Sequence, residues 1–245
     1  MNISNTMNSP YQFGYLEIIL GPMYSSKSTR LVQIYNQCNF CEIPVITINH
    51  DIDNRYDEEL MSTHDQIKIP CIKSNKLKNI WNKGFLDKAI CNTKVILINE
   101  GQFFDDLFEV VSDMVNHGKQ VYVCGLDGDF ERKKFGQILD LIPLCDKVTK
   151  LTSICSKCKN GTPGIFSMRL TKEIEQTVVG SENYIPVCRT CYMNVKKTQT
   201  ISTVPVDPAL PTLEPPVENL ISNYPYGADP LDYSHFTFNG IKGDY

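Results

Sequence analysis

The chain has little net charge and no long apolar run. Over 245 residues the formal charge is −4, which argues against a bulk nucleic-acid binder while leaving room for a local basic patch. No apolar stretch approaches the length of a membrane span. Residues 1–12 are polar and uncharged. They lack the basic region and apolar core of a signal peptide, so the expected address is cytoplasmic. A further deficit lies inside a motif. Gly21-Pro22-Met23-Tyr24-Ser25-Ser26-Lys27-Ser28-Thr29 reads as a phosphate-binding loop, but Ser26 stands where such a loop carries glycine before its lysine.

Hydrophobic residues make up 42 % of the chain. That supports a sizeable core, one domain of about 150–200 residues plus an attachment. There are ten cysteines. In a cytosolic protein of this size they point to thiols, some of them on a metal, rather than to disulfides.

Short β-branched runs alternate with helical segments. Tyr15–Leu20, Ile43–Ile48, Val95–Ile98 and Gln120–Cys124 read as strands; Ser28–Asn39 and about Asp105–His117 read as helices. The pattern predicts an α/β fold of the P-loop NTPase type, a mostly parallel sheet with helices on both faces. Polar clusters sit at the strand ends, where ligands bind in such sheets. From near Val148 a smaller unit follows, with Phe166–Leu170 and Glu173–Val179 expected to form a hairpin or lasso. The expected division is a flexible arm over 1–14, a nucleotide-binding domain over 15–147, a zinc-binding lasso domain over 148–195, and a Pro-rich, disordered tail over 196–245.

The chemistry follows from residue types. In a strand–loop–helix context, backbone N–H groups wrap phosphates, Lys27 reaches the β/γ oxygens, and the Ser28 hydroxyl suits Mg²⁺. If position 26 requires positive φ, the serine Cβ costs about 1 kcal/mol. Cys155-x2-Cys158 and Cys188-x2-Cys191 lie 29 residues apart, the spacing of a closed Cys₄ structural zinc site. Cys38 and Cys41 share that spacing but lack a second pair nearby, and packing is the expected role. Glu100, just past a strand end, can accept the proton of a substrate hydroxyl. Phe103, Phe104, Phe130 and Phe135 stand among charged residues and suit a planar base.

These residues resemble the thymidine kinases of the cellular type 1, bacterial and poxvirus class. The likeness runs through GPMYSSKSTRL, DNRY (53–56), STHD (62–65), INEGQFF (98–104), GLDGDFERKKFG (125–136), LIPLCDKVTKLTSICSKC (141–158), FSMR (166–169) and VGSENYIPVCRTCY (179–192). It implies transfer of the γ-phosphate of ATP to the 5′-hydroxyl of thymidine or deoxyuridine. It further implies that Arg55 steadies the transferring phosphoryl group with Asp53 close by, and that Gln102 and Asn99 belong with the nucleotide-binding residues. Met23, Phe103, Leu126, Phe130, Phe135, Ser167, Val178 and Tyr184 become the nucleoside pocket. A homotetramer and feedback binding of dTTP are implied by resemblance alone. Three positions depart from the family pattern: Ser26 for glycine, Asn99 for aspartate, and Asp129 for threonine or a similar residue. They set the competing expectation, a weak or inactive nucleotide-binding relative with a structural or regulatory role. A zinc-ribbon nucleic-acid binder is disfavoured by the acidic balance.

Overall fold

In the computed structural model the described residues are 13–52, 60–63, 66–84, 91–178 and 180–201. Six parallel strands form the main sheet: β1 (Tyr15–Leu20), β2 (Val45–His50), β5 (Ile72–Ser74), β6 (Val95–Ile98), β7 (Gln120–Gly125) and β8 (Lys147–Lys150), in the order β5-β2-β6-β7-β1-β8. All six residues of β1 are buried, as expected of an inner parallel strand covered on both faces. Leu16, Ile18, Leu20, Ile96, Ile98, Val121 and Val123 share one core with α2 (Leu77–Gly84) and α3 (Leu107–Asn116). The alternate residues Ile19, Val95, Leu97 and Cys124 pack with Leu31, Val32 and Ile34 of α1 (Lys27–Phe40). The two-residue period of each strand therefore assigns its side chains to the two helical layers. Each fully buried aliphatic contributes about 1.5–3 kcal/mol.

One buried charge interrupts the apolar floor. Glu17, in the middle of β1, is 3 % exposed. Thr149 Oγ1 donates to its Oε1 at 2.7 Å, Lys147 Nζ lies 3.2 Å from the same oxygen, and Tyr15 OH donates to Oε2 at 3.1 Å. Burial alone would raise its pKa. The hydrogen bonds from Thr149 and Lys147, with the lysine's charge and Tyr15, outweigh burial and hold it below the usual carboxylate value. Two of these partners come from β8, so Glu17 secures that edge strand. β8 also straddles the expected division at 147/148.

Short elements escape a periodicity reading. β3 (Leu60–Ser62) and β4 (Lys68–Pro70) pair antiparallel, and β4, β5 and α2 occupy a stretch where the sequence suggested nothing. Three-residue strands carry too few positions to show a period. Of the expected hairpin or lasso, the structure takes the lasso: β11 (Phe166–Arg169) pairs antiparallel with β12 (Tyr184–Val187). Residues 170–178 form no strand, because the Arg169 side chain gathers the carbonyls of Glu173, Glu175 and Gln176. β9 (Ser153–Ile154) pairs with β10 (Pro163–Gly164), and α4 (Arg189–Ile201) continues past the expected start of the tail at 196. Among the described residues, no helix is long and apolar enough to cross a membrane.

Candidate active site and metal centre

The parallel sheet brings the C-terminal ends of β1, β2, β6 and β7 to one edge, and the phosphate loop rises from β1. A Cβ at Gly21 would meet Leu151 O at 2.7 Å and Ser25 Oγ at 2.6 Å, so the junction needs glycine. Ser25 Oγ and Lys27 Nζ each donate to Pro22 O at 2.8 Å, which closes the loop and lays the ammonium over it. Tyr24 (φ 61°) and Ser26 (φ 62°) are both left-handed. Position 26 thus has the positive φ at which serine costs about 1 kcal/mol over glycine. Left-handed residues flanking Ser25 produce the curl that gathers backbone N–H groups into an anion-binding concavity. α1 begins immediately after, with no acidic residue in its first turn and no side-chain cap from Ser26. Its N-terminus adds a partial positive charge.

Behind the loop lies a neutral polar network. Asn99 Oδ1 accepts from Ser28 Oγ at 3.3 Å and from Cys124 Sγ at 3.0 Å. Asn99 Nδ2 donates to Asn49 Oδ1 at 2.9 Å, and both asparagines are 1 % exposed. Burial, reinforced by the Glu100 charge and only partly offset by Lys27, pushes the Cys124 thiol up to about 12. It therefore remains an S–H donor. Asn99 occupies its place as an amide matched to another amide, without a charge.

Glu100 is left-handed (φ 53°) at the end of β6. Gln102 Nε2 donates to Glu100 Oε2 at 2.7 Å, and Gln102 Oε1 accepts the Leu126 N–H at 3.0 Å. The amide thus fixes the carboxylate to the end of β7. A Cβ at Gly125 would lie 2.3 Å from Gln102 Oε1, so this glycine makes room for the clamp.

Glu100 opens onto a cleft of about 1150 Å³, counting the space at its mouth. The loop residues Met23, Tyr24, Ser25, Ser26, Lys27, Ser28 and Thr29 line one end. Gln102, Phe103, Leu126, Phe130, Phe135, Ser167, Val178 and Tyr184 line the rest. Gly21 lies at the base of the loop and Asn99 behind Ser28, while Asp53 and Arg55 fall outside the described residues. Phe103 and Phe135 meet edge to face at 5.4 Å, and His50 lies 5.7 Å from Phe103. Burial lowers the His50 pKa against the pull of Asp51, Asp105, Glu100 and Asp106. Its Nδ1 accepts the Ile52 N–H at 3.1 Å.

The lasso wall depends on a residue that sequence reasoning did not single out. Arg169 is 9 % exposed. Its guanidinium donates to the carbonyls of Glu173 (2.9 Å), Glu175 (2.5 Å) and Gln176 (3.0 Å) and to Tyr184 OH (2.6 Å). It also lies 3.7 Å from the centre of the Phe130 ring. Tyr184 OH in turn donates to Val178 O at 3.2 Å. The available signal was a charge within the apolar run Phe166–Leu170. Asn49, a polar end to an apolar strand, was a similar signal. Asp129 lines the cleft and is held in place there: Oδ1 accepts the Glu131 and Lys133 N–H groups at 2.9 and 2.8 Å, and Oδ2 accepts Gln176 Nε2 at 2.8 Å.

At the other end of the lasso, the sulfurs of Cys155, Cys158, Cys188 and Cys191 all lie within 4.8 Å of one another. Cys158 Sγ is 3.4 Å from Cys191 Sγ and 3.8 Å from Cys188 Sγ. A tetrahedron with zinc–sulfur bonds of about 2.3 Å has edges of about 3.8 Å, so the four thiols fit that ion. Burial works against ionisation of Cys155, yet N–H groups of Cys188, Cys158 and Lys157 outweigh it and hold its pKa below the usual thiol value, while hydrogen bonds with the other thiols raise that of Cys191. With four protein ligands the site is closed and structural. Met168, Val187 and Tyr192 pack around it. Cys38, by contrast, is buried in the core under α1, and Cys41 is exposed.

A phosphate loop, a carboxylate and an aromatic pocket in one cleft, beside a Cys₄ centre, define a P-loop nucleotide-binding protein with a zinc-bearing lasso. The family model described as "Thymidine kinase" matches residues 14–192. The chain is 40 % identical over 182 residues to the thymidine kinase of Variola virus, covering 74 % of this chain and 98 % of that protein. It is 41 % identical over 182 residues to that of Raccoon poxvirus and 40 % to that of Monkeypox virus, with the same coverage. The chain belongs to the thymidine kinase family.

Proposed function

We infer that the protein is an ATP-dependent thymidine kinase. The observation that carries this is the cleft itself. In a chain of this family, the phosphate loop, the aromatic and lasso residues and Glu100 all line one cleft.

The phosphate loop and the N-terminus of α1 bind the ATP phosphates, and Lys27 neutralises the β/γ oxygens as charge shifts toward the leaving diphosphate. Ser28 Oγ and Asn99 Oδ1 are oxygen donors of the kind Mg²⁺ accepts, and these two residues would hold the ion, which would supply positive charge against the triphosphate. Glu100, steadied by Gln102, takes the 5′-hydroxyl proton. The freed oxygen bonds to the γ-phosphorus as the bond to the β–γ bridging oxygen breaks, and ADP leaves. Phe103, Phe130 and Phe135 hold the base. Met23, Leu126, Ser167, Val178 and Tyr184 complete the pocket. Arg55 and Asp53 are assigned to the transferring phosphoryl group. A homotetramer, dTTP as an end-product ligand and a cytoplasmic address belong to the same reading.

Glu100→Gln keeps the size and the contact to Gln102 but cannot take a proton. Its kcat for thymidine is expected to fall about 10²–10⁴-fold with both KM values little changed. Turnover by the unaltered protein no higher than that of this variant would reject the kinase reading.

A further inference from the structure

A contact between two walls of the cleft has no part in the mechanism. Gln176 Nε2 donates to Asp129 Oδ2 at 2.8 Å and, more weakly, to Lys134 O at 3.4 Å on the same wall. The two residues belong to different walls, Gln176 to the lasso and Asp129 to the loop that carries Phe130 and Phe135. We propose that Asp129 and Gln176 form a latch that holds the lasso wall against the aromatic wall and so sets nucleoside affinity. This rests on the thymidine kinase reading of the same cleft.

Three features point to a latch rather than a chance surface bond. Asp129 is 7 % exposed, and its second oxygen is committed. Oδ1 accepts two N–H groups of its own turn, from Glu131 and Lys133, so Oδ2 is held toward the lasso. Gln176 is oriented as well, because its carbonyl is gripped by Arg169. Both partners line the cleft, with Phe130 adjacent to one and Val178 two residues from the other. The bond therefore joins the two segments that enclose the base, and it is charge-assisted. Asp129 and Gln176 act here as positioning residues, without a part in phosphoryl transfer.

A donor swap tests it. Gln176→Glu sets a carboxylate against Asp129 and breaks the latch while leaving the 127–135 turn intact. Adding Asp129→Asn restores a donor and acceptor, since Oδ1 stays with the turn and the new amide nitrogen faces the carboxylate introduced at position 176. Gln176→Glu is expected to raise the nucleoside KM about five- to tenfold, the worth of one charge-assisted hydrogen bond at a part-exposed site, with the ATP KM within about twofold. The double variant is expected to return to within about twofold of the starting value. Amide hydrogen exchange of residues 173–178, measured without substrate, is expected to quicken in the single variant and recover in the double one. An unchanged nucleoside KM with unchanged exchange, or a double variant no better than the single, overturns the latch. If the unaltered protein phosphorylates no nucleoside, the kinase reading fails, and exchange alone decides whether the two walls are latched.

Discussion

The backbone N–H of Met23 donates to Ser167 Oγ at 2.9 Å, across 144 positions of sequence. One residue belongs to the phosphate loop and the other to β11 of the lasso. Both line the cleft. This bond sets the phosphate loop in register with the lasso wall of the cleft, so a displacement of either reaches the other. In-line phosphoryl transfer tolerates little misplacement between its two substrates.

Ser26 carries strain that glycine would remove. Ser26→Gly is expected to raise stability by up to about 1 kcal/mol, less the extra chain entropy of glycine. Ser26→Val, β-branched at φ 62°, is expected to raise the ATP KM. Thermal denaturation and initial rates measure the two effects. A glycine variant that loses more than about 1 kcal/mol would show that the serine hydroxyl compensates for its own Cβ.

Asn99 is a neutral organiser of Ser28. Asn99→Asp keeps the acceptor for Ser28 and Cys124, and the Asn49 amide can turn to donate. The added charge is expected to lower the Mg²⁺ concentration for half-maximal rate about tenfold, after desolvation removes most of the gross attraction. Metal titration of the rate decides this. An unchanged Mg²⁺ dependence would place the cation away from Asn99.

Arg169 has no conservative substitute. Lysine cannot stack on Phe130 or meet four acceptors in one plane. Arg169→Lys leaves carbonyls of 173–176 unpaired at about 1 kcal/mol or more each. The nucleoside KM is expected to rise at least about tenfold, with the ATP KM near its original value and the zinc content at one per chain. A variant that also lost zinc would mean that Arg169 holds the whole lasso rather than its cleft wall.

Glu17 makes stability depend on pH. Its folded pKa is below its ordinary value of 4.5, so its contribution is complete above that pH and is lost as pH falls through the depressed folded value. Glu17→Gln is expected to cost about 2–4 kcal/mol near pH 7. The gap to the unaltered protein should close in acid. Denaturant unfolding at about pH 7 and below about pH 4 reads it out, and a gap that stays constant would contradict the assignment.

Much of the site was legible because its chemistry is local. Gly21 through Thr29 is one continuous segment between an apolar strand and a helix, and the cysteine knuckles announce themselves by spacing. Glu100 stood out as a carboxylate at a strand end. Arg169, Asn49 and the Gln176–Asp129 contact were not legible in this way. Each acts on partners distant in sequence or on main-chain carbonyls, which carry no residue identity. Hairpin and lasso stayed open after β11 for a related reason: a strand's period shows which side chains are buried but not which backbone pairs with it.

By itself, then, the sequence determined the α/β layering, the phosphate loop, the zinc ligands and the strand-end carboxylate Glu100, because alternation, loop–helix seams and knuckle spacing depend on neighbours along the chain. Only the tertiary structure decided that position 26 is left-handed, that Asn99 is matched by Asn49, that the Asp129 charge is spent on its own turn and on Gln176, and that Arg169 shapes the lasso. Those outcomes depend on which groups meet once the strands are parallel and their ends share an edge, and hydrogen-bond partners far apart in sequence are chosen by that geometry.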